Sequence, residues 1–221
     1  MIYKTRGIVF RFTKFRETSI IVTIFTELFG LQSYMVNGVR SKSAKNKIAL
    51  YQPLTILDLV VYHREHANIE RIKEIRCLYP YTTLTVDVVK STIAIFIQEL
   101  LNKAIKHESH AKELFDFLYD SLTTLDSQQH GYENFHLVFM VKLARSLGFG
   151  AQIPNEVIGG RIADKETEVA LGQLLQADYH DDMAITQSQR RNLLDLLTGF
   201  YSDHLGLGEI KSIAVLRDVL S

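Results

Sequence analysis

The chain has 221 residues, 47% of them hydrophobic and 23% charged, with 25 basic and 25 acidic side chains. Those are globular values, so disorder is excluded and a sizeable core in one large or two small domains is expected. No run of about 18 apolar residues and no apolar leader after Met1 suggests a membrane span or a secretory signal, and the single cysteine, Cys77, excludes an internal disulfide and fits a reducing cytoplasm.

Residues 2–12 alternate, with Ile8, Phe10 and Phe12 on one face and Val9 and Arg11 on the other, which is strand period. Residues 19–26 are β-branched and aromatic and predict a second strand. Glu27-Leu28-Phe29-Gly30 reads as a turn, residues 31–39 as a third strand, and the polar, basic segment 41–46 as a loop. Strands four and five are expected at 54–62 and 69–78, joined by a hairpin connection at 63–68. Five short strands within about 80 residues predict a small closed barrel of the OB type, because closure removes exposed edges.

Near Pro80 the period changes. Val88, Thr92, Ile95, Phe96, Glu99, Leu100 and Ala104 recur at helical steps, with Thr85 as the expected N-cap and Asp87 in the first turn. Further helices are expected near 110–124, 132–147 (closing on Gly148), 164–176, 187–204 and 211–220, with Thr186 or Ser188 capping the one over 187–204. Residues 151–163, with Pro154 and Gly159-Gly160, read as a loop. The expected fold is therefore α+β: an N-terminal five-stranded OB barrel over 1–80, then an all-helical domain over 81–221.

Net charge zero conceals a dipole between these parts. Residues 1–80 carry 13 Lys and Arg against 6 Asp and Glu, a surplus of seven, and the remainder carries the opposite surplus. A basic β-module beside an acidic helical module suggests one surface for polyanions and another for proteins. The basic set is Lys4, Arg6, Arg11, Lys14 and Arg16 around the first strand, then Arg40, Lys42, Lys45 and Lys47 after the third. The Lys14–Arg16 turn and the 40–47 loop are expected on opposite rims of a nucleic-acid groove, with Phe12, Phe15 and Tyr34 offering rings to bases. The plainer alternative is that the aromatics fill the barrel and the lysines solvate it. In the helical part, Lys142 and Arg145 share a face with Phe139 and Leu143, which suits an acidic peptide ending in an aromatic, with Lys211 a further candidate; an ordinary amphipathic helix explains the same pattern.

Catalytic signatures are weak. His63-x-x-His66, His107-x-x-His110 and His180-Asp181-Asp182 lack the further ligands a metal needs, and Cys77, expected half-buried on a strand, has no adjacent base. Gly159-Gly160-Arg161 lacks the ending of a phosphate loop, and no Gly-x-Ser-x-Gly occurs. Binding rather than catalysis is expected, with no cofactor and no metal.

Several segments, in order, resemble the RecO family of bacterial recombination mediators. They are Thr5-Arg6-Gly7-Ile8-Val9, then residues 17–27 followed by Phe29-Gly30, Asn37-Gly38-Val39-Arg40-Ser41-Lys42, Gln52-Pro53-Leu54, Phe135-His136-Leu137 leading to Leu147-Gly148-Phe149, and residues 201–206 with Lys211-Ser212. The resemblance implies an OB fold and a helical domain that together bind single- and double-stranded DNA and anneal complementary strands. It also implies action with RecR in loading RecA onto DNA coated by single-strand-binding protein (SSB), contact with the acidic SSB tail through the helical domain, and residence in the bacterial cytoplasm with the nucleoid. Two departures stand out. Residues 152–185, where many members carry a four-cysteine zinc module, hold no cysteine, so zinc is not expected. Tyr132-Glu133-Asn134 stands where a basic residue would precede Phe135. An OB-fold RNA-binding module and a pure protein adaptor are the alternative readings.

Overall fold

The structure is a computed structural model that describes residues 1–41, 47–64, 67–106 and 110–220. Five strands, β1 (Ile2–Phe15), β2 (Ser19–Thr26), β3 (Gly30–Val36), β4 (Ile56–Tyr62) and β5 (Glu70–Tyr79), close into a barrel in the order β1-β2-β3-β5-β4. All neighbours pair antiparallel except β3 and β5, which pair in parallel through Tyr34 opposite Glu70 and Met35 opposite Arg71. This is the OB arrangement, and it leaves no strand edge open.

The barrel interior is filled by Val9, Ile20, Val22, Ile24, Tyr34, Leu57, Leu59 and Val61. Strand alternation alone does not give this set. A β-bulge at Phe10 shifts the register of β1 against β2, from Val9 opposite Ile24 to Arg11 opposite Thr23. One inserted residue swaps the faces of everything after it. Phe12 therefore packs against the interior with Val9, while Ile8 shares the outer face with its cross-strand partners Phe25 and Ile56. Phe10 stacks on Phe25 at 5.6 Å. The expected grouping of Ile8, Phe10 and Phe12 on one face is thus corrected. Cys77, expected half-buried, is exposed on β5.

Gly7 sits where β1 crosses the packed interior. A Cβ there would lie 2.7 Å from Ile24 Cγ2 and 2.8 Å from Leu59 Cδ1, both in residues with no solvent exposure. Gly7→Ala is expected to cost about 1–3 kcal/mol through overpacking. Denaturant unfolding of the variant, with an unchanged midpoint, would show that the barrel yields more readily than this.

Seven helices follow among the described residues: α1 (Val88–Ala104), α2 (Ala111–Ser127), α3 (Phe135–Ser146), α4 (Pro154–Ile158), α5 (Lys165–Leu174), α6 (Gln187–Leu205) and α7 (Ser212–Val219). Asp87, not Thr85, caps α1, accepting a bond from Lys90 N at 2.9 Å. Thr186 and Gln189 form the capping box of α6. The segment around Pro154, expected as a loop, begins a short helix, since proline is tolerated in a first turn and Gly159 supplies the left-handed C-cap. Gly148, with φ +86°, ends the α3 turn as expected.

The chain divides into two compact units, Met1–Tyr81 with Ile105–Thr123, and Thr82–Ala104 with Thr124–Ser221. The division differs from a simple cut at residue 80: the greater part of α2 belongs with the barrel. Leu114, Phe115, Leu118 and Leu122 are its buried stripe there. In the second unit, α1 packs with α7, and α3 is flanked by α5 and α6. The buried Asp126 accepts bonds there from the backbone N–H groups of Thr82, Thr83 and Leu84 at 2.7–3.1 Å. The buried Lys90 ammonium closes the cluster, donating to Thr83 Oγ1 and to the Asp126 carbonyl.

Candidate nucleic-acid interface

The β1–β2 turn and the loop after β3 meet at one end of the barrel. Arg40 N donates to the Thr18 carbonyl at 3.0 Å, and Arg40 Nη1 donates to the Arg16 carbonyl at 3.2 Å. Ser19 and Asn37 bond side chain to side chain beneath them. Val39, 3% exposed, plugs the barrel end and leaves the next residue, Arg40, facing solvent. Alternation between a buried and an exposed position, fixed by this plug, is what presents the guanidinium. Arg16 holds a left-handed backbone with φ +50°, which only glycine and asparagine adopt easily, so the turn carries strain while placing a cation. The Arg16 guanidinium lies 5.4 Å from the Phe15 ring. Lys14 pairs across the sheet with Ile20 and so lies at the barrel mouth, and Lys47 precedes the 3-10 turn Ile48–Tyr51; both are exposed.

Lys14, Arg16 and Arg40 therefore gather at one mouth rather than on opposite rims, and Arg11 is exposed on the outer face of the same strand. The separation read from sequence failed because chain distance says nothing of how a barrel brings loops together. Like charges held at one low-dielectric edge raise the local potential for polyanions. Lys42 and Lys45 lie outside the described residues, as do His66 and His107 of the two histidine pairs.

The remaining members of the sequence-predicted set stand elsewhere. Tyr34 is 1% exposed inside the barrel, where burial first and the Glu70 charge second push its phenol pKa up; its ring cannot reach a base. Phe12 and Phe15 are half-buried. Arg6 is the centre of an internal network, bidentate to Glu27 at 2.9 Å, bonded to Asp116 of α2 at 2.8 Å, and stacked over Phe115. Its guanidinium fastens α2 to the outer wall of the barrel. Lys4 faces Asp58 at 3.8 Å, and Asp58 also holds Arg76. Sequence separates neither residue from the surface cations, because the acids that claim them come from other strands and from a helix more than a hundred residues away.

In the helical unit the expected peptide groove is not assembled. Phe139 is fully buried. Lys142 pairs with Asp178 at 3.0 Å beside the Tyr179 ring, and this ammonium, foremost, holds the Asp178 carboxyl below its usual range. Arg145 donates to the Leu175 carbonyl. Lys211 precedes α7, and its backbone N–H is held by Glu99 of α1 at 3.0 Å. Sequence analysis missed Arg190, whose Nε donates to Asn134 Oδ1 at 2.9 Å, so a cation reaches the segment before Phe135 from α6. Its only sequence signal is the Arg190-Arg191 pair on an otherwise amphipathic helix. Among the described residues, no cluster of three or more His, Cys, Asp or Glu side chains has the arrangement of a metal site, and no helix is long and apolar enough to cross a membrane.

Comparison with known proteins agrees with the barrel-and-helices order. The family model described as Recombination protein O N terminal matches residues 1–81, and that described as Recombination protein O C terminal matches residues 86–168. The chain is 40% identical to the DNA repair protein RecO of Bacteroides fragilis and 35% identical to that of Flavobacterium psychrophilum, over 99% of each chain in both cases. It is 30% identical to the DNA repair protein RecO of Phocaeicola vulgatus over the full length of both. A closed OB barrel followed by helices, matched from end to end in this way, belongs to the RecO family of DNA repair proteins.

Proposed function

We propose that this protein is a non-catalytic recombination mediator that binds single- and double-stranded DNA at the cationic barrel mouth and anneals complementary strands there. The observation that carries the reading is the joining of Arg16 to Arg40, which concentrates Lys14, Arg16 and Arg40 at one edge, where no acid among the described residues forms an ion pair with them. Arg11, and Lys42, Lys45 and Lys47 after Arg40, extend the set. Annealing needs no reacting group: cations that neutralise two backbones lower the repulsion between them, and released counterions favour the encounter. With RecR the protein helps load RecA on SSB-coated DNA, taking the acidic SSB tail on its helical unit, in the bacterial cytoplasm at the nucleoid.

Binding to a labelled single-stranded DNA, titrated in salt, is the direct test. A steep linear fall of log affinity with log salt is expected, with slope about −0.7 per phosphate contacted. RNA of the same sequence binding far more tightly would favour an RNA module, and no binding to either at low salt would leave a protein adaptor.

A further inference from the structure

An open hollow of about 470 Å³, within the range of small-molecule sites, lies where the end of β4 and the start of β5 meet Met1. Its lining is Met1, Tyr62, Arg64, Glu70 and Arg71. Glu70 begins β5 opposite Tyr34, at the parallel junction that closes the barrel, and it is only 1% exposed. One carboxylate oxygen, Oε1, accepts from Arg64 N at 2.7 Å. The other, Oε2, is buried with no hydrogen-bond partner. Arg64 Nε lies 3.8 Å from it, an ion pair but not a hydrogen bond, on a side chain that is 72% exposed. A buried acceptor left open is costly, so this oxygen calls for an account.

The missing partner is a donor. The rest of the lining narrows what carries it. Arg71 is exposed beside its cross-strand partner Tyr62, and Arg64 is exposed as well. Tyr62 is 42% exposed, so part of its ring is open to a flat ligand. A cationic ligand would meet two guanidiniums, and a simple anion would meet the carboxylate. The ligand therefore combines uncharged N–H groups, a planar face and a separate negative charge, and a nucleotide has all three. Guanine presents two adjacent donors, N1–H and N2–H, on its pairing edge, which match the two oxygens of one carboxylate. Adenine and cytosine offer one amino group there beside a ring acceptor. Thymine offers one N–H flanked by two carbonyl oxygens, which a carboxylate repels.

We infer that this hollow is a guanine-reading subsite for single-stranded DNA: Glu70 accepts from N1–H and N2–H of the base, Tyr62 stacks on its ring, and Arg71 holds the adjacent phosphate. The exposed Arg64 side chain gives way to the base and leaves its charge beside the strand. Unpaired bases that splay onto an aromatic ring are read on their pairing edge in this manner. A duplex hides that edge inside its base pairs, so the subsite favours single strands. The inference rests on the reading above that the chain binds single-stranded DNA. It adds a base preference, which phosphate contacts at Arg16 and Arg40 cannot give, because phosphates carry no sequence information.

The test uses the full chain and fluorescent thymidine oligonucleotides that carry, at one central position, thymine, guanine or hypoxanthine, which is guanine without its N2 amino group. Anisotropy at fixed salt should show the guanine strand binding about fivefold or more tightly than the all-thymine strand, with hypoxanthine between them. Glu70→Gln keeps the side chain's shape but sets an amide donor against the base. It should bring the guanine strand down to the all-thymine affinity and leave the all-thymine strand unchanged. Tyr62→Ala, an exposed change, should also shrink the preference, and it carries the test if Glu70→Gln melts early. Saturating guanosine monophosphate should erase the preference. If that nucleotide alone binds as tightly as the guanine strand, the ligand is a free nucleotide and the assignment to DNA is overturned. Equal binding of the three strands, or a preference intact in Tyr62→Ala or in folded Glu70→Gln, overturns the subsite while leaving the DNA-binding reading standing. No binding of any strand at low salt overturns both.

Discussion

Replacing Lys14, Arg16, Arg40 and Lys47 together with alanine is expected to abolish most DNA binding without unfolding the chain. All four are exposed; Lys14, Arg16 and Arg40 meet at one barrel mouth through the Arg40–Arg16 hydrogen bond, and Lys47 follows in the same basic segment. Four lost phosphate contacts flatten the log–log salt slope for single strands by about 2.8, which at 0.1 M salt corresponds to a loss on the order of a few hundredfold. Removing Lys4 and Arg6 instead should leave the slope nearly unchanged, because Asp58, Glu27 and Asp116 already occupy them. Arg16→Gly separates the two effects of one residue. It relieves the φ +50° turn, so stability holds or rises, while one phosphate contact disappears. A quadruple variant that binds with the wild-type slope would move the interface off this mouth.

The largest stability effect is expected at Asp126. Its carboxylate is fully buried and accepts from three consecutive backbone N–H groups, Thr82, Thr83 and Leu84. Asp126→Ala leaves those three buried donors without this acceptor and removes the negative charge beside the buried Lys90 ammonium, which keeps its bonds to the backbone carbonyl of residue 126 and to Thr83 Oγ1. The cost is about 3–5 kcal/mol, the range for breaking a buried charged network, and the thermal midpoint should fall by about 6–20 °C. Burial alone would raise the Asp126 pKa, but the backbone bonds from Leu84, Thr82 and Thr83 outweigh it and the carboxyl lies below its usual range. A depressed carboxylate stabilises the fold above its unfolded pKa of about 3.9 and loses that contribution as pH falls through the folded value. The wild-type chain should therefore lose stability more steeply below about pH 4 than Asp126→Ala does. A variant melting within a degree or two of wild type would show that backbone packing, not the carboxylate, holds residues 82–84.

Much of this was legible beforehand because it depends on short-range pattern. β2 spans the predicted 19–26, and α6 starts at the predicted cap, Thr186, and ends within a residue of the predicted limit, since β-branching, helical period and capping chemistry are local properties. The cations at 14, 16, 40 and 47 were nameable from type and spacing. Their adjacency was not, because Arg16 and Arg40 are joined by barrel closure. Tyr34 and Phe139 looked like binding rings because an aromatic in an alternating or amphipathic run has the same signature whether its face meets solvent or core.

Local pattern along the chain was enough for the order of parts: a basic β-barrel, then acidic helices, with the family motifs in register. Tertiary structure alone decided three matters. A single-residue bulge at Phe10 chose which face of β1 fills the barrel. Pairing with Glu27 and Asp116 turned Arg6 from a surface cation into the fastening of α2. The convergence of α3, α6 and α7 left the His136 ring nitrogens and Arg217 Nε without hydrogen-bond partners among the described residues, beside Leu194, Leu216 and Leu220. Periodicity and composition report how one segment divides between water and core. Partnership between charges is set by through-space distance, which falls within a few ångströms only after distant segments have packed.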